Sequence, residues 1–227
     1  MLSLISKIDG KAWTLERRKA FMDVINKYDV MVIEDNPYGE IRFKGEFVPT
    51  LKSMDTQGKI IYLGSFSKIL APGLRLAWMC ANPEVIKQAE LIKEGWDLQC
   101  NQFVQVQAVA FMNSYDLEKH IQGIQQAYKD KCELMLAEME KEFPANVKFT
   151  KPEGGMFIWV VLPEHVDANA FLDTALEYGV AYIPGEFFYA NEGPKNTMRM
   201  NFTTVSEEKN CRRDSFAGKS FKKYLLM

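Results

Sequence analysis

The stretch VMVIEDNPYG, residues 30–39, decides how this chain is read. Val30 to Ile33 form a near-continuous apolar run, the pattern of a strand buried on both faces. Asn36-Pro37 then breaks it. Working backwards, Trp13 to Tyr28 reads as an amphipathic helix capped by Thr14, with Leu15, Phe21, Val24 and Ile25 on its apolar face. Working forwards, Lys59–Leu63 and Arg75–Ala81 read as two more strands. Between them lies the loop GSFSKILAPG, residues 64–73. Helix, strand, loop and strand in that order imply an α/β layer.

Further out, residues 83–112 read as a helix in two pieces, broken near Gly95. A long helix follows over Asp116–Phe143. Its Leu117, Ile121, Ile124, Tyr128, Cys132, Met135 and Met139 recur at spacings of three and four, which puts them on one stripe. The pattern then changes. Val147–Thr150 and Met156–Leu162 read as strands around the turn Pro152-Glu153-Gly154-Gly155. Ala168–Tyr178 reads as a helix stopped by Gly179. Val180–Ile183 and Thr197–Phe202 are two short strands. The expected organisation is a domain over residues 1–110 and a smaller α/β domain over residues 111–227. Beyond Ser206, a candidate cap, periodicity is lost and a frayed end is expected.

The 227 residues carry a net charge of -2, which gives no electrostatic footprint for nucleic acid or an anionic membrane. No apolar run approaches a membrane span. Cys80, Cys100, Cys132 and Cys211 are scattered without a CxxC pair. With His120 and His165 as the only histidines, the chain offers no zinc pattern. Reduced cysteines and a cytoplasmic location are expected.

Two segments carry the chemistry. Asp35-Asn36-Pro37-Tyr38 follows one strand, and Ser65-Phe66-Ser67-Lys68, then Pro72-Gly73-Leu74-Arg75, follows another. Ligand-binding groups in open α/β sheets gather just past such strand ends. Singly, each has a plain reading. Asp35 could form a turn, Tyr38 could pack, Lys68 could be solvated, and Arg75 or Arg199 could pair on the surface. Together they must be explained in one order and at one spacing.

In that combination, D-x-x-Y followed by S-x-S-K-x6-R, the chain resembles the class I/II aminotransferases, fold-type I enzymes dependent on pyridoxal 5'-phosphate (PLP). The likeness is to the branch with 2-aminoadipate, aromatic and broad-specificity members, over about Lys11–Glu208. It implies the C-terminal part of a large domain with a mainly parallel sheet, followed by a small α/β domain. It implies PLP as cofactor, an amino acid and a 2-oxo acid as substrates, and a homodimer. Lys68 matches the lysine that bonds the cofactor and later moves the substrate proton. Asp35 matches the carboxylate held against the pyridine nitrogen, and Tyr38 the hydroxyl on the ring oxygen. Ser65, Ser67 and Arg75 match the phosphate cradle, where two hydroxyls and a guanidinium suit a dianion. Arg199, in TMRMNF, matches the arginine that takes the substrate carboxylate on its fork of donors. Arg42 and Asp97 are candidates for the rim, or simply exposed charges.

The sequence also departs from the family. Where an Asn-Pro-x-Gly motif is expected, Ser6-Lys7-Ile8-Asp9-Gly10 stands. The first strands of the family's large-domain sheet have no counterpart, so the strand at Val30–Glu34 is expected to become an apolar edge that pairs with another chain. A truncated, self-associating product is the expectation. The alternatives are a non-catalytic domain that keeps the scaffold, and the effector-binding part of an aminotransferase-like transcriptional regulator.

Overall fold

The computed structural model describes residues 12–204. Ser6–Gly10, the candidate cap Ser206, Cys211 and the expected frayed end lie outside the described residues. The described residues fall into two compact units, 12–125 and 126–204.

The first unit begins with α1 (Leu15–Ile25), where Thr14 Oγ1 accepts the Arg17 N–H at 3.3 Å. Three strands follow: β1 (Val32–Asp35), β2 (Ile60–Ser65) and β3 (Ala77–Cys80), side by side in that order. β1 and β2 are parallel, with Asp35 opposite Leu63. β2 and β3 are antiparallel, with Leu63 opposite Met79 and Ser65 opposite Ala77. The expected mainly parallel sheet is therefore mixed among the described residues. The cause is the connection: residues 66–76 are too few for the dozen or more that a parallel crossover needs. One face packs on Met22, Leu51 and Ile60, all buried, with Trp13, Phe21, Val32 and Met54 around them.

Helices α2 (Pro83–Asp97) and α3 (Gln102–Ser114) come next, capped by Asn82 and Asn101. The break between them, expected near Gly95, lies just beyond it, after Asp97. A glycine inside a helix costs only about 1 kcal/mol and does not stop it. Leu98, at a positive φ of 61°, and the Asn101 side chain, which accepts from the N–H groups of Phe103 and Val104, set the interruption.

The division between units falls inside α4 (Leu117–Glu142). In the second unit, Cys132, Met135 and Met139 of its apolar stripe are buried. A four-stranded antiparallel sheet follows, in the order β4 (Lys148–Phe149), β5 (Phe157–Val161), β7 (Thr197–Asn201), β6 (Ile183–Pro184). α5 (Ala168–Glu177) is capped by Asp167 and followed by Gly179 at φ 74°. Ile158, Val160, Phe171, Met198 and Phe202 form the interior, each at most 1% exposed. Only Ile183 and Pro184 are paired where Val180–Ile183 was expected as a strand. Among the described residues, no helix is long and apolar enough to cross a membrane.

Candidate active site

The period of two in β1 sends neighbouring carboxylates to opposite faces. Asp35 ends the strand, and the Asn36 N–H still donates to Leu63 O at 3.0 Å, which holds the chain flat just past it. Asp35, Leu63 and Met79 lie in one row across the sheet. With Ser65, Ala77 and, from α2, Ile86, Ala89 and Lys93, they line a cavity of about 550 Å³. A few polar groups in an apolar wall is the usual composition of a small-molecule site.

The turn after β1 is tightly built. Asn36 is buried and its Nδ2 donates to the Tyr62 hydroxyl at 3.3 Å. A Cβ at Gly39 would overlap the Asn36 amide, so this close approach needs glycine. Tyr38 is 8% exposed and starts the 3-10 turn Gly39–Ile41. Burial pushes the Tyr62 phenol upward, with the Asn36 bond acting against it.

Ser65 ends β2, and its Oγ accepts the Ser67 N–H at 3.1 Å. Phe66 closes the loop. Its N–H donates to Leu76 O at 3.1 Å, and its carbonyl accepts from Leu70 and Ala71 at 2.9 and 3.1 Å. Ile69 anchors the loop by burial. Between them Lys68 is half-buried. It makes no hydrogen bond or ion pair with another described residue. Arg75 holds a left-handed backbone (φ 51°), uncommon outside glycine, and its guanidinium donates to Pro72 O at 3.0 Å.

Arg199 belongs to the second unit, on β7 opposite Trp159. Its guanidinium carbon lies 4.0 Å from the Phe157 ring centroid and 4.4 Å from that of Phe188.

Of the residues singled out in the sequence, Asp35 and Ser65 share the cavity wall, and Ser67 is tied to Ser65. Lys68, Arg75 and Tyr38 sit on the flanking loops and do not line it. Asp97 forms an exposed pair with Lys93 at 2.7 Å, the plain reading of that charge. Arg42 lines a separate small void with Arg18, Asn36 and Thr50. His165 is exposed and His120 rests edge-on against Phe111. Among the described residues, no group of His, Cys, Asp and Glu could hold a metal.

Sequence reading missed the support behind Asp35. Glu34 is fully buried on the opposite face, and its carboxylate accepts the N–H groups of Leu51 (2.9 Å) and Lys52 (2.8 Å). Burial pushes its carboxyl upward, opposed by those two bonds and by the charges of Arg18 and Lys52. Arg18, also buried, donates to the carbonyls of Trp13, Val48 and Pro49. The acidic pair Glu34-Asp35 at a strand end was the one available signal.

The donor set fits the group that the resemblance implies. A carboxylate in a mostly apolar wall suits a protonated ring nitrogen, and an amine without a partner among the described residues suits bonding to an aldehyde. Two serines and an arginine on one loop suit a phosphate.

Comparison with known proteins agrees. Residues 5–213 match the family described as aminotransferase class I and II. Aromatic-amino-acid aminotransferase 1 of Thermococcus litoralis is 48% identical over 200 residues, covering 88% of this chain and 48% of that protein. The structure of Pyrococcus horikoshii kynurenine aminotransferase, in complex with PMP, KYN and KYA, matches with a TM-score of 0.93 and 43% identity. It covers 99% of this chain and 56% of that one. The α-aminoadipate aminotransferase of Thermus thermophilus, complexed with N-(5'-phosphopyridoxyl)-L-leucine, matches with a TM-score of 0.94 and 31% identity, covering 98% and 58%. The chain spans about half the length of the curated relatives it matches.

Proposed function

We propose, from the premise that this chain belongs to the aminotransferase class I and II family, that it carries the lysine-bearing part of an enzyme exchanging an amino group between an amino acid and a 2-oxo acid. The family's cofactor is PLP. The observation that carries the reading is the β2–β3 loop. It presents Lys68 without a partner among the described residues, three residues past Ser65, which lines a cavity with Asp35.

When bound, PLP supplies an electron sink for the pair left at the substrate α-carbon. The chain's own residues do the rest. Lys68 Nζ would hold the cofactor through its aldehyde carbon and, when freed by the substrate amine, would carry the proton from the substrate α-carbon to the cofactor carbon. The Asp35 carboxylate would accept from the ring nitrogen and favour its protonated form. The Tyr38 hydroxyl would donate to the ring oxygen. Ser65, Ser67 and Arg75 would hold the phosphate, and Arg199 would take the substrate carboxylate.

The relatives' names support an aromatic or aminoadipate-like amino acid as substrate. Cys80, Cys100 and Cys132, none of them in a disulfide, are consistent with a cytoplasmic location. A homodimer completes the reading. Exposed Val30, Met31 and Ile33 beside the β1 edge support association.

The test is a PLP titration followed by absorbance, then addition of L-phenylalanine and, separately, 2-aminoadipate. A saturable visible band that either amino acid shifts supports the proposal. Absence of any band at millimolar PLP favours a scaffold that binds no cofactor.

A further inference from the structure

We infer that Asn36 is a positioning residue, acting through the Tyr62 hydroxyl and the Gly39 backbone to fix the directions of Asp35 and Tyr38. This deepens the reading of Asp35 and Tyr38 given above and rests on it.

The arrangement begins with register. Asn36 lies two residues past Glu34, so the two side chains leave the same face of the sheet. Tyr62 stands opposite Glu34 on β2 and shares that face. Asn36 Nδ2 reaches the Tyr62 hydroxyl at 3.3 Å, while the Asn36 N–H donates to Leu63 O at 3.0 Å. On the other side of Asp35, Glu34 is sealed by the N–H groups of Leu51 and Lys52. Asp35 thus sits between two residues pinned on the far face. Its backbone has little freedom to turn, and its side chain keeps to the cavity.

The same amide sets the other end of the turn. Pro37 fixes its own φ. The Asn36 amide lies over Gly39, where an added Cβ would overlap it. Ile41, fully buried, donates its N–H to Tyr38 O at 3.1 Å. Tyr38 is therefore held between Asn36 and Ile41.

Stability alone does not account for an asparagine here. Asn36 is 7% exposed, and its Oδ1 is buried without a hydrogen bond from any described residue. A buried orphan acceptor costs at least as much as one long bond to a phenol returns. Leucine, of similar size, would fill the space without that cost. What leucine lacks is a directional tie to Tyr62.

The experiment uses the full chain. The first readout needs no cofactor: NMR of isotope-labelled tyrosine follows the Tyr62 phenol through alkaline pH. Burial raises its pKa and the Asn36 bond opposes that, so Asn36→Leu should raise it further. The second readout is PLP affinity. Asn36→Leu and Tyr62→Phe should each weaken binding about fivefold. The double variant should bind no worse than either, because all three lose the same bond. Tyr62→Phe removes one oxygen and keeps the ring, so the fold survives. The third is the pH at which the visible band of the PLP complex fades. Asp35 and Tyr38 both draw electrons from the cofactor ring, so loosening either should move that pH up by about half a unit. Urea denaturation is run alongside.

An unchanged Tyr62 titration in Asn36→Leu would overturn the inference. So would wild-type affinity and band pH in both single variants while Asp35→Asn binds more weakly. Lower urea stability with those two readouts unmoved is the mark of a merely structural role. Failure of the underlying reading looks different: wild type would show no band, or Asp35→Asn would bind like wild type, and the positioning role would fall with it.

Discussion

Glu34 and Asp35 are neighbours in sequence and opposites in environment. One is sealed against backbone donors, and the other faces the cavity. Their substitutions should therefore separate. Asp35→Asn should leave the fold intact and weaken PLP binding roughly tenfold or more, since a charge-assisted hydrogen bond contributes about 1.5–3 kcal/mol. An absorbance titration checks this. Glu34→Ala should instead cost about 3 kcal/mol of stability, because it orphans two N–H groups and leaves the buried Arg18 cation uncompensated. Urea denaturation reads it out. The motif around Asp35 was legible because a strand end and fixed spacing are local signals. The role of Glu34 was not, because its partners are backbone groups of Leu51 and Lys52, brought beside it only by folding.

At the scale of elements, the entry to β2 depends on Asp55. Its buried carboxylate accepts from Ile60 N–H at 3.0 Å, Lys52 Nζ at 3.0 Å, Lys59 N–H at 3.1 Å and Gln57 N–H at 3.2 Å. Burial alone would raise its pKa, but these bonds together outweigh burial and hold it below the usual value. The sign follows. A depressed folded-state pKa contributes stability that is fully present above the unfolded value near 3.8 and is lost as pH falls through the folded value. Asp55→Asn should lower stability by about 1–2 kcal/mol at pH 7 and flatten the acid limb below pH 4. Chemical denaturation across pH 2–7 measures both.

Elements were legible where periodicity and caps agree. Thr14 caps α1 and the α4 stripe is buried from Cys132 onward. The break near Gly95 was legible to within a few residues, although α2 runs through the glycine itself and ends at Asp97. The direction of β3 could be read from loop length alone, yet the family resemblance suggested a mainly parallel sheet. The cluster around Arg199 was half legible. TMRMNF marked the arginine, but Phe157 and Phe188 lie on other elements and carry no shared pattern.

For the whole molecule, the notable property is apolar surface. Trp96 is 86% exposed, and Leu98, Phe103, Val106 and Tyr115 also face outward from the α2–α3 region. Trp78 and Met79 of β3 are exposed as well. Exposed apolar surface on this scale favours association. Sedimentation at micromolar concentration should show species larger than a 26.1 kDa monomer, and a stable monomer would contradict this.

The central claim remains that Lys68 is the residue that bonds PLP. Its most direct test is borohydride reduction of the full chain with PLP, followed by peptide mapping. One reduced phosphopyridoxyl group is expected on the peptide carrying Lys68, absent in Lys68→Ala. An unmodified Lys68, or modification spread equally over surface lysines in both proteins, would contradict it.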